Sequence, residues 1–169
     1  MKKSELLSPI SLDVEFEIKY NRSYTAKLIQ SSDEAKGYYN DLKNYILSYK
    51  GVSNRTSWHF ESFNNARNQL IKFNIKGVTL CVYLALDASE FLDSKYKVET
   101  ATSKKYEEVP CLYRIKNPRR CKYVKELIDM VMEKNGLTKG EEKHVKYNLP
   151  YEPREALLER CLIKELKAK

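Results

Sequence analysis

One segment of this chain, Val78 to Leu86, restricts its possible folds more than any other. The sequence VTLCVYLAL is almost continuously apolar and rich in β-branched and aromatic residues, which is typical of a strand buried on both faces. A strand of this kind needs neighbouring strands on either side and other elements above and below it. We therefore expect this segment at the centre of a β-sheet.

Other strand patterns surround the apolar segment. Residues Ile10 to Tyr20 alternate strictly between apolar and polar side chains, and this period of two predicts a strand with one buried face. Ser57 to Phe63 and Gln69 to Ile75 are rich in the residues that strands prefer. The Lys76-Gly77 pair favours a tight turn into the central strand. Tyr24 to Ile29 is expected to be extended as well.

The first of two predicted helices follows Ser31. Ser31 and Glu34 have the spacing of a capping box, and apolar residues then recur every three or four positions up to about Tyr49. Gly51 is suited to end this helix. The tyrosines on its apolar stripe are expected at the boundary of the core, and they are Tyr38, Tyr39, Tyr45 and Tyr49.

The second helix is expected from Pro118 to about Asn135, directly after a strand at Cys111 to Ile115. Asn117 can accept a hydrogen bond as its N-cap, Pro118 suits the first helical position, and Gly136 follows its end. Its core-facing residues are Val124, Leu127, Ile128 and Val131.

These elements predict an α+β fold of one ordinary domain size. We expect a mainly antiparallel sheet of five to six strands, two principal helices on one side, and a C-terminal helical tail. Residues 1–21 form an N-terminal strand extension in this interpretation, and residues 22–137 form the single α+β domain. Residues 138–169 supply a linker and a short amphipathic helix at Arg154 to Leu166, which either packs back or binds a partner.

Positive charge is concentrated in Val109 to Lys125, VPCLYRIKNPRRCKYVK. This stretch carries six cations and no acid, whereas the whole chain has a net charge of +8. Backbone N–H groups at the helix start and the helix dipole attract anions, and guanidinium groups add bidentate donors. The residues expected to bind phosphate are Arg114, Lys116, Arg119, Arg120 and Lys122. The alternative is a solvated surface paired with acids such as Glu107 and Glu108.

Arg114 is the sharpest member of this cluster. It lies within a predicted strand, where a partly buried guanidinium requires either a carboxylate partner or a bound anion. Its neighbour Tyr113, and Tyr96 between two lysines, are candidates for stacking against a ligand.

A second cluster, RTSWHFESFNNAR, interleaves aromatic residues with arginines. Bases stack on aromatic rings while guanidinium groups hold phosphate, so Arg55 and Arg67 are further candidates for anion binding. Trp58 is a candidate stacking residue, with core packing as the alternative.

Signatures of catalysis and metal binding are weak throughout the chain. The four cysteines form no CxxC pair, only two histidines could complete a metal site, and no Walker, GxSxG or GxGxxG pattern occurs. We expect no catalysis, no cofactor and no metal. No run approaches the roughly 20 apolar residues of a membrane span, and the N-terminus has no sustained apolar region, which predicts a cytoplasmic protein.

Four phrases carry a resemblance to a known group: SYTAKLIQSSDEAKGYYNDLKNYILSYKGV, LIKFNIKGVTLCVYLALD, SKYKVE and EEVPCLYRIKNPRRCKYVKELID. Over about residues 22–137 they resemble an uncharacterised bacterial domain of Firmicutes-type proteins. The order of elements also resembles the MmcQ/YjbR-like small α+β domains. The name of that group, for a DNA-binding-like fold, implies nucleic acid as a ligand.

The residues and the resemblance together predict a non-enzymatic module that binds a phosphate-bearing ligand. Nucleic acid is the first expectation. A small anionic, nucleotide-like ligand and an acidic protein partner are the two alternatives.

Overall fold

The computed structural model describes residues 18–166. The strands are β1 (Lys19–Arg22), β2 (Ser53–Thr56), β3 (Glu61–Asn65), β4 (Asn68–Lys76), β5 (Thr79–Leu84), β6 (Glu99–Thr100), β7 (Cys111–Ile115) and β8 (Ile163–Leu166). The helices are α1 (Tyr24–Ile29), α2 (Asp33–Leu47), α3 (Pro118–Lys134) and α4 (Arg154–Glu159), with 3₁₀ turns at Ala88–Phe91 and Lys104–Tyr106.

The main sheet has six antiparallel strands in the order β2-β3-β4-β5-β7-β6, and β1 pairs with β8 in a separate two-stranded sheet. The predicted α+β class is therefore confirmed. β5 lies between β4 and β7, and Leu80 to Leu84 are all buried, as expected of the central strand. Gly77 has a φ of 63° in the turn before β5, a left-handed conformation that glycine adopts at little cost.

Both principal helices pack on one face of the main sheet. The predicted stripe of α3 is buried there, and the core that it shares with α2 includes Tyr39, Leu42, Ile46, Phe73, Val82 and Tyr113. Because side chains alternate along a strand, the residues between these core positions point to the opposite side. We call that side the outer face.

Paired positions run across the outer face in one row. Arg55 pairs with Ser62, Ser62 with Lys72, Lys72 with Tyr83, and Tyr83 with Leu112. A segment from residue 101 to 110 covers part of this face, and its Tyr106 ring stacks on Tyr83 with centroids 3.6 Å apart.

Helix starts follow their capping residues closely. Asn117 accepts a hydrogen bond from the Arg120 N–H at 2.9 Å, and Pro118 begins α3, as predicted. The cap of α2 is Ser32, which accepts from the Ala35 N–H at 3.1 Å. The predicted cap, Ser31, is wrong by one residue because its hydroxyl donates to the Leu28 carbonyl at the end of α1.

Three predicted elements are wrong. Tyr24–Ile29 is a helix because the Ser23 hydroxyl caps it at the Ala26 N–H, 3.0 Å away. The strand expected over Ser57 to Phe63 is interrupted by a turn in which the Ser57 N–H donates to the Phe60 carbonyl. The tail helix ends at Glu159, and the chain continues as β8 after Cys161, which has a φ of 60°. Most of the predicted strand Ile10–Tyr20 lies outside the described residues.

The segment from residue 140 to 149, here called the strap, runs along α2. The Asn44 amide donates to the Val145 carbonyl at 2.9 Å, and its carbonyl accepts from the Val145 N–H at 3.1 Å. One helical turn earlier, Asn40 accepts from the Tyr147 N–H at 2.7 Å. Four helical residues rise about 6 Å and two extended residues rise about 6.6 Å, so the two asparagines match alternate positions of the strap.

Candidate phosphate-binding site

A groove on the outer face lies at the edge formed by β2, β3 and β4. Its volume is about 420 Å³, and its lining includes Arg55, Arg67, Lys72 and the ring of Phe60. No carboxylate of residues 18–166 lines it. We call it the outer groove, and it brings together the two arginines that the sequence analysis selected from RTSWHFESFNNAR.

The positions of the three cations follow from the strand pairing. Arg55 and Lys72 both pair with Ser62, one from each side, so they stand in one row about 10 Å apart across two strand spacings. Arg67 lies in the two-residue turn between β3 and β4, where Ala66 has a φ of 55°. The hairpin of β3 and β4 therefore places Arg67 at the edge of the sheet that forms the outer groove.

Lys72 is the least exposed cation of the outer groove. Its ammonium donates to the Lys105 carbonyl at 2.7 Å and lies 4.1 Å from the centroid of the Phe60 ring. Burial lowers the pKa of Lys72, while the carboxylate of Glu108 raises it. A partly desolvated ammonium attracts an anion more strongly than one in bulk water.

Asn64 also lines the outer groove. Its amide donates to the Ser62 hydroxyl at 3.2 Å, whereas its buried carbonyl oxygen accepts no hydrogen bond from the described part of the chain. Buried acceptors are normally satisfied. Because this oxygen is shielded from solvent, the outer groove offers a ligand positive charge rather than this acceptor.

The basic turn before α3, residues 114–122, has two groups of cations. Arg114 forms a bidentate pair with Glu99, with Nε to Oε2 at 2.7 Å and Nη2 to Oε1 at 3.1 Å. Its hydrogen bond and charge lower the pKa of Glu99. Arg120 donates to the Arg114 carbonyl at 3.0 Å and lies over the ring of Tyr113. The partner that the Arg114 guanidinium requires is therefore the carboxylate of Glu99.

The other cations of the turn are exposed. Lys116, Arg119 and Lys122 form no salt bridge within residues 18–166. They remain candidates for anion contact. The turn is separated from β2 by four strand spacings, about 19 Å.

The three predicted stacking residues are each engaged within the protein. Tyr113 is buried beneath Arg120, and its ring is only 1% exposed. Trp58 lies under the Lys164 ammonium, 4.6 Å from the ring centroid. The Tyr96 ring packs edge-on between two other aromatic rings, and its hydroxyl donates to Glu126.

Lys72 and Phe60 are not among the residues expected from the sequence to bind a ligand. The polar residues at alternate positions 72, 74 and 76 of β4 indicated a less apolar outer face, and this pattern could have identified Lys72. The sequence predicts a continuous strand at Phe60, whereas this residue closes the turn that separates β2 from β3.

A buried polar cluster centred on Glu61 was also missed. Tyr24 and Tyr39 donate their hydroxyls to Glu61 Oε1 at 3.0 and 2.9 Å. Asn54 and Lys43 donate to Oε2, both at 2.8 Å. Four separate segments, α1, α2, β2 and β3, supply these groups, so no local spacing in the sequence predicts the cluster. Because protein donors fill both oxygens, the arrangement is that of a structural cluster.

The described residues contain no group of three side chains suited to hold a metal ion. None of their helices is both long and apolar enough to cross a bilayer. No family model matches the chain, and neither the curated proteins nor the solved structures contain a match. The resemblance to the MmcQ/YjbR-like group stays a prediction.

Proposed function

We propose that this protein is a non-enzymatic binding module for a phosphate-bearing ligand, specifically a nucleic acid, and that the outer groove is its principal contact. The observation that carries the proposal is the convergence of Arg55, Arg67 and Lys72 on a groove without a described carboxylate. Arginine forks and ammonium groups are the usual donors to phosphate oxygens.

Positive charge continues beyond the outer groove. Lys105 lies next to Lys72, because its backbone carbonyl accepts a hydrogen bond from the Lys72 ammonium. Burial lowers the pKa of Lys27, and the positive charges of Arg22, Lys105 and Lys76 lower it further. A surface with several cations in succession favours a ligand with repeated phosphates over a single phosphate.

The exposed cations of the basic turn supply a second contact in this proposal. Lys116, Arg119 and Lys122 follow β7, which lies four strand spacings, about 19 Å, from β2 and two, about 10 Å, from β4. A chain of a few nucleotides is long enough to reach both places. The turn thus keeps the phosphate-binding role expected from the sequence, but as the lesser site.

A small anionic ligand is the second candidate. The volume of the outer groove, about 420 Å³, is within the usual range for small-molecule sites.

Fluorescence anisotropy tests the proposal with labelled single-stranded DNA, duplex DNA, RNA and a labelled adenine nucleotide. The variant Arg55→Ala/Arg67→Ala is expected to weaken oligonucleotide binding about tenfold or more, since two charged donors are lost. Lys50→Ala/Lys143→Ala removes the same charge from two exposed positions outside the outer groove and is the matched control.

The comparison of variants separates the candidates. Unchanged oligonucleotide affinity in Arg55→Ala/Arg67→Ala would remove the outer groove from the site. Equal losses of oligonucleotide affinity in this variant and in its control would show that net charge alone causes the effect. Binding of the nucleotide without binding of any oligonucleotide would favour the small ligand.

A further inference from the structure

We infer that a second cleft, beside the two-stranded sheet, stacks an unpaired base on Tyr151, so that the bound nucleic acid is single-stranded. This inference rests on the proposed function. The cleft, here called the tail cleft, has a volume of about 720 Å³ and lies between β1, the end of α1 and the start of α4. Arg22 and Arg154 line it together with Tyr151.

Tyr151 differs from the other tyrosines of the chain. All 13 tyrosines lie within the described residues, and Tyr151 alone has an exposed ring, with 65% of its surface open to solvent. No other ring or cation of residues 18–166 packs against its face. An accessible ring in a concave site is what a base requires for stacking.

Two guanidinium groups accompany this ring. Arg154 lies 4.2 Å from the centroid of the Tyr20 ring, so the tail cleft already holds one planar cation on a tyrosine. Arg22 donates one hydrogen bond to the side-chain oxygen Oε1 of Gln30 at 2.9 Å, which orients its guanidinium. A guanidinium has five N–H donors, so others are available for phosphate. Glu155 also lines the cleft, but the two arginines outnumber it.

The tail cleft lies close to the outer groove. Ile163 of β8 lines the tail cleft, and the next residue, Lys164, lies 4.6 Å from the centroid of the Trp58 ring. Trp58 belongs to the turn whose Ser57 and Phe60 line the outer groove. A phosphate backbone that leaves the outer groove can therefore reach the tail cleft past the Lys164 ammonium.

The accessible tyrosine favours single strands over duplexes. In a duplex both faces of each base are stacked on neighbouring pairs, whereas in a single strand a base can turn onto a protein ring. The outer groove supplies charge and the tail cleft supplies stacking in this account. The residues expected from the sequence to stack, Tyr113, Trp58 and Tyr96, are engaged within the protein and are not required for this mode of binding.

An abasic oligonucleotide separates stacking from charge. We would measure the affinity of a single-stranded DNA of about 12 nucleotides, within the range of known single-strand sites, and of an abasic strand of equal length. Tyr151→Ala is expected to weaken binding of the base-bearing strand about fivefold or more and to leave the abasic strand unchanged. Tyr151→Phe should retain affinity, because it keeps the ring. Leu92→Ala, at a residue that is 76% exposed and outside the cleft, is the control.

The results distinguish base stacking in the tail cleft from phosphate binding in the outer groove. Equal effects of Tyr151→Ala on both strands, or no effect on either, would overturn stacking in the tail cleft. If Arg55→Ala/Arg67→Ala still weakens the binding of both strands in that case, the proposed function stands without stacking in the tail cleft. Failure of both strands to bind the wild-type protein would overturn the two claims together.

Discussion

The Lys43 ammonium lies 2.8 Å from Oε2 of Glu61, a carboxylate that is fully buried between α2 and the main sheet. The same ammonium lies 4.3 Å from the centroid of the Tyr147 ring in the strap. This pair therefore joins the helix, the sheet and the strap. The hydroxyls of Tyr24 and Tyr39 and the side-chain amide of Asn54 donate the other hydrogen bonds to the Glu61 carboxylate.

Glu61→Ala is expected to destabilise the fold by about 3–5 kcal/mol, because it leaves the Lys43 ammonium in a buried site without its carboxylate. Urea unfolding followed by circular dichroism measures this change. Glu90→Ala, at an exposed glutamate, should alter the free energy of unfolding by less than about 0.5 kcal/mol.

A double-mutant cycle isolates the ion pair. Lys43→Met with Glu61→Leu should cost less than the sum of the two single changes, since neither charge is then left alone. Additive effects would show that the pair does not act as a unit.

The central strand and the α3 start were predictable because their determinants are local. The apolar run of β5 reflects burial on both faces, and Asn117 with Pro118 marks a helix start within a few residues. In contrast, Tyr24–Ile29 has strand-like residues but lies beside the capping hydroxyl of Ser23, and tertiary packing on β4 supports the helix.

The candidate site was predictable only in part. Arg55 and Arg67 could be selected from composition, but their meeting with Lys72 depends on strand register. The pairing of Arg114 with Glu99 arises across β6 and β7, fifteen residues apart in sequence. Contacts of this kind depend on topology, which residue spacing does not encode.

Asn44→Ala is expected to release the strap. The change removes both hydrogen bonds to Val145 and should cost about 1–3 kcal/mol. Amide exchange at Val145 should become faster, and exchange at Leu84 in the central strand should change only with global stability. Asn68→Ala, at an exposed asparagine of β4, is the control. Unaltered exchange at Val145 would contradict the role of Asn44.

Thiol reactivity tests the packing of the sheet and helices. Cys81, Cys111 and Cys121 are buried, and Cys161 is exposed. Burial raises the pKa of Cys111 and of Cys121 to about 12, so both stay protonated at pH 8. Titration with a disulfide reagent at pH 8 should show one fast thiol, and Cys161→Ser should remove it. Two or more fast thiols in the native protein would contradict this packing.

The salt dependence of binding tests the central claim most directly. For a single strand, the logarithm of affinity falls against the logarithm of salt concentration by about 0.7 for each phosphate neutralised. We predict that Arg55→Ala/Arg67→Ala makes this slope shallower by about 1.4, because two phosphate contacts are lost. A slope identical to that of the wild-type protein would contradict phosphate binding in the outer groove.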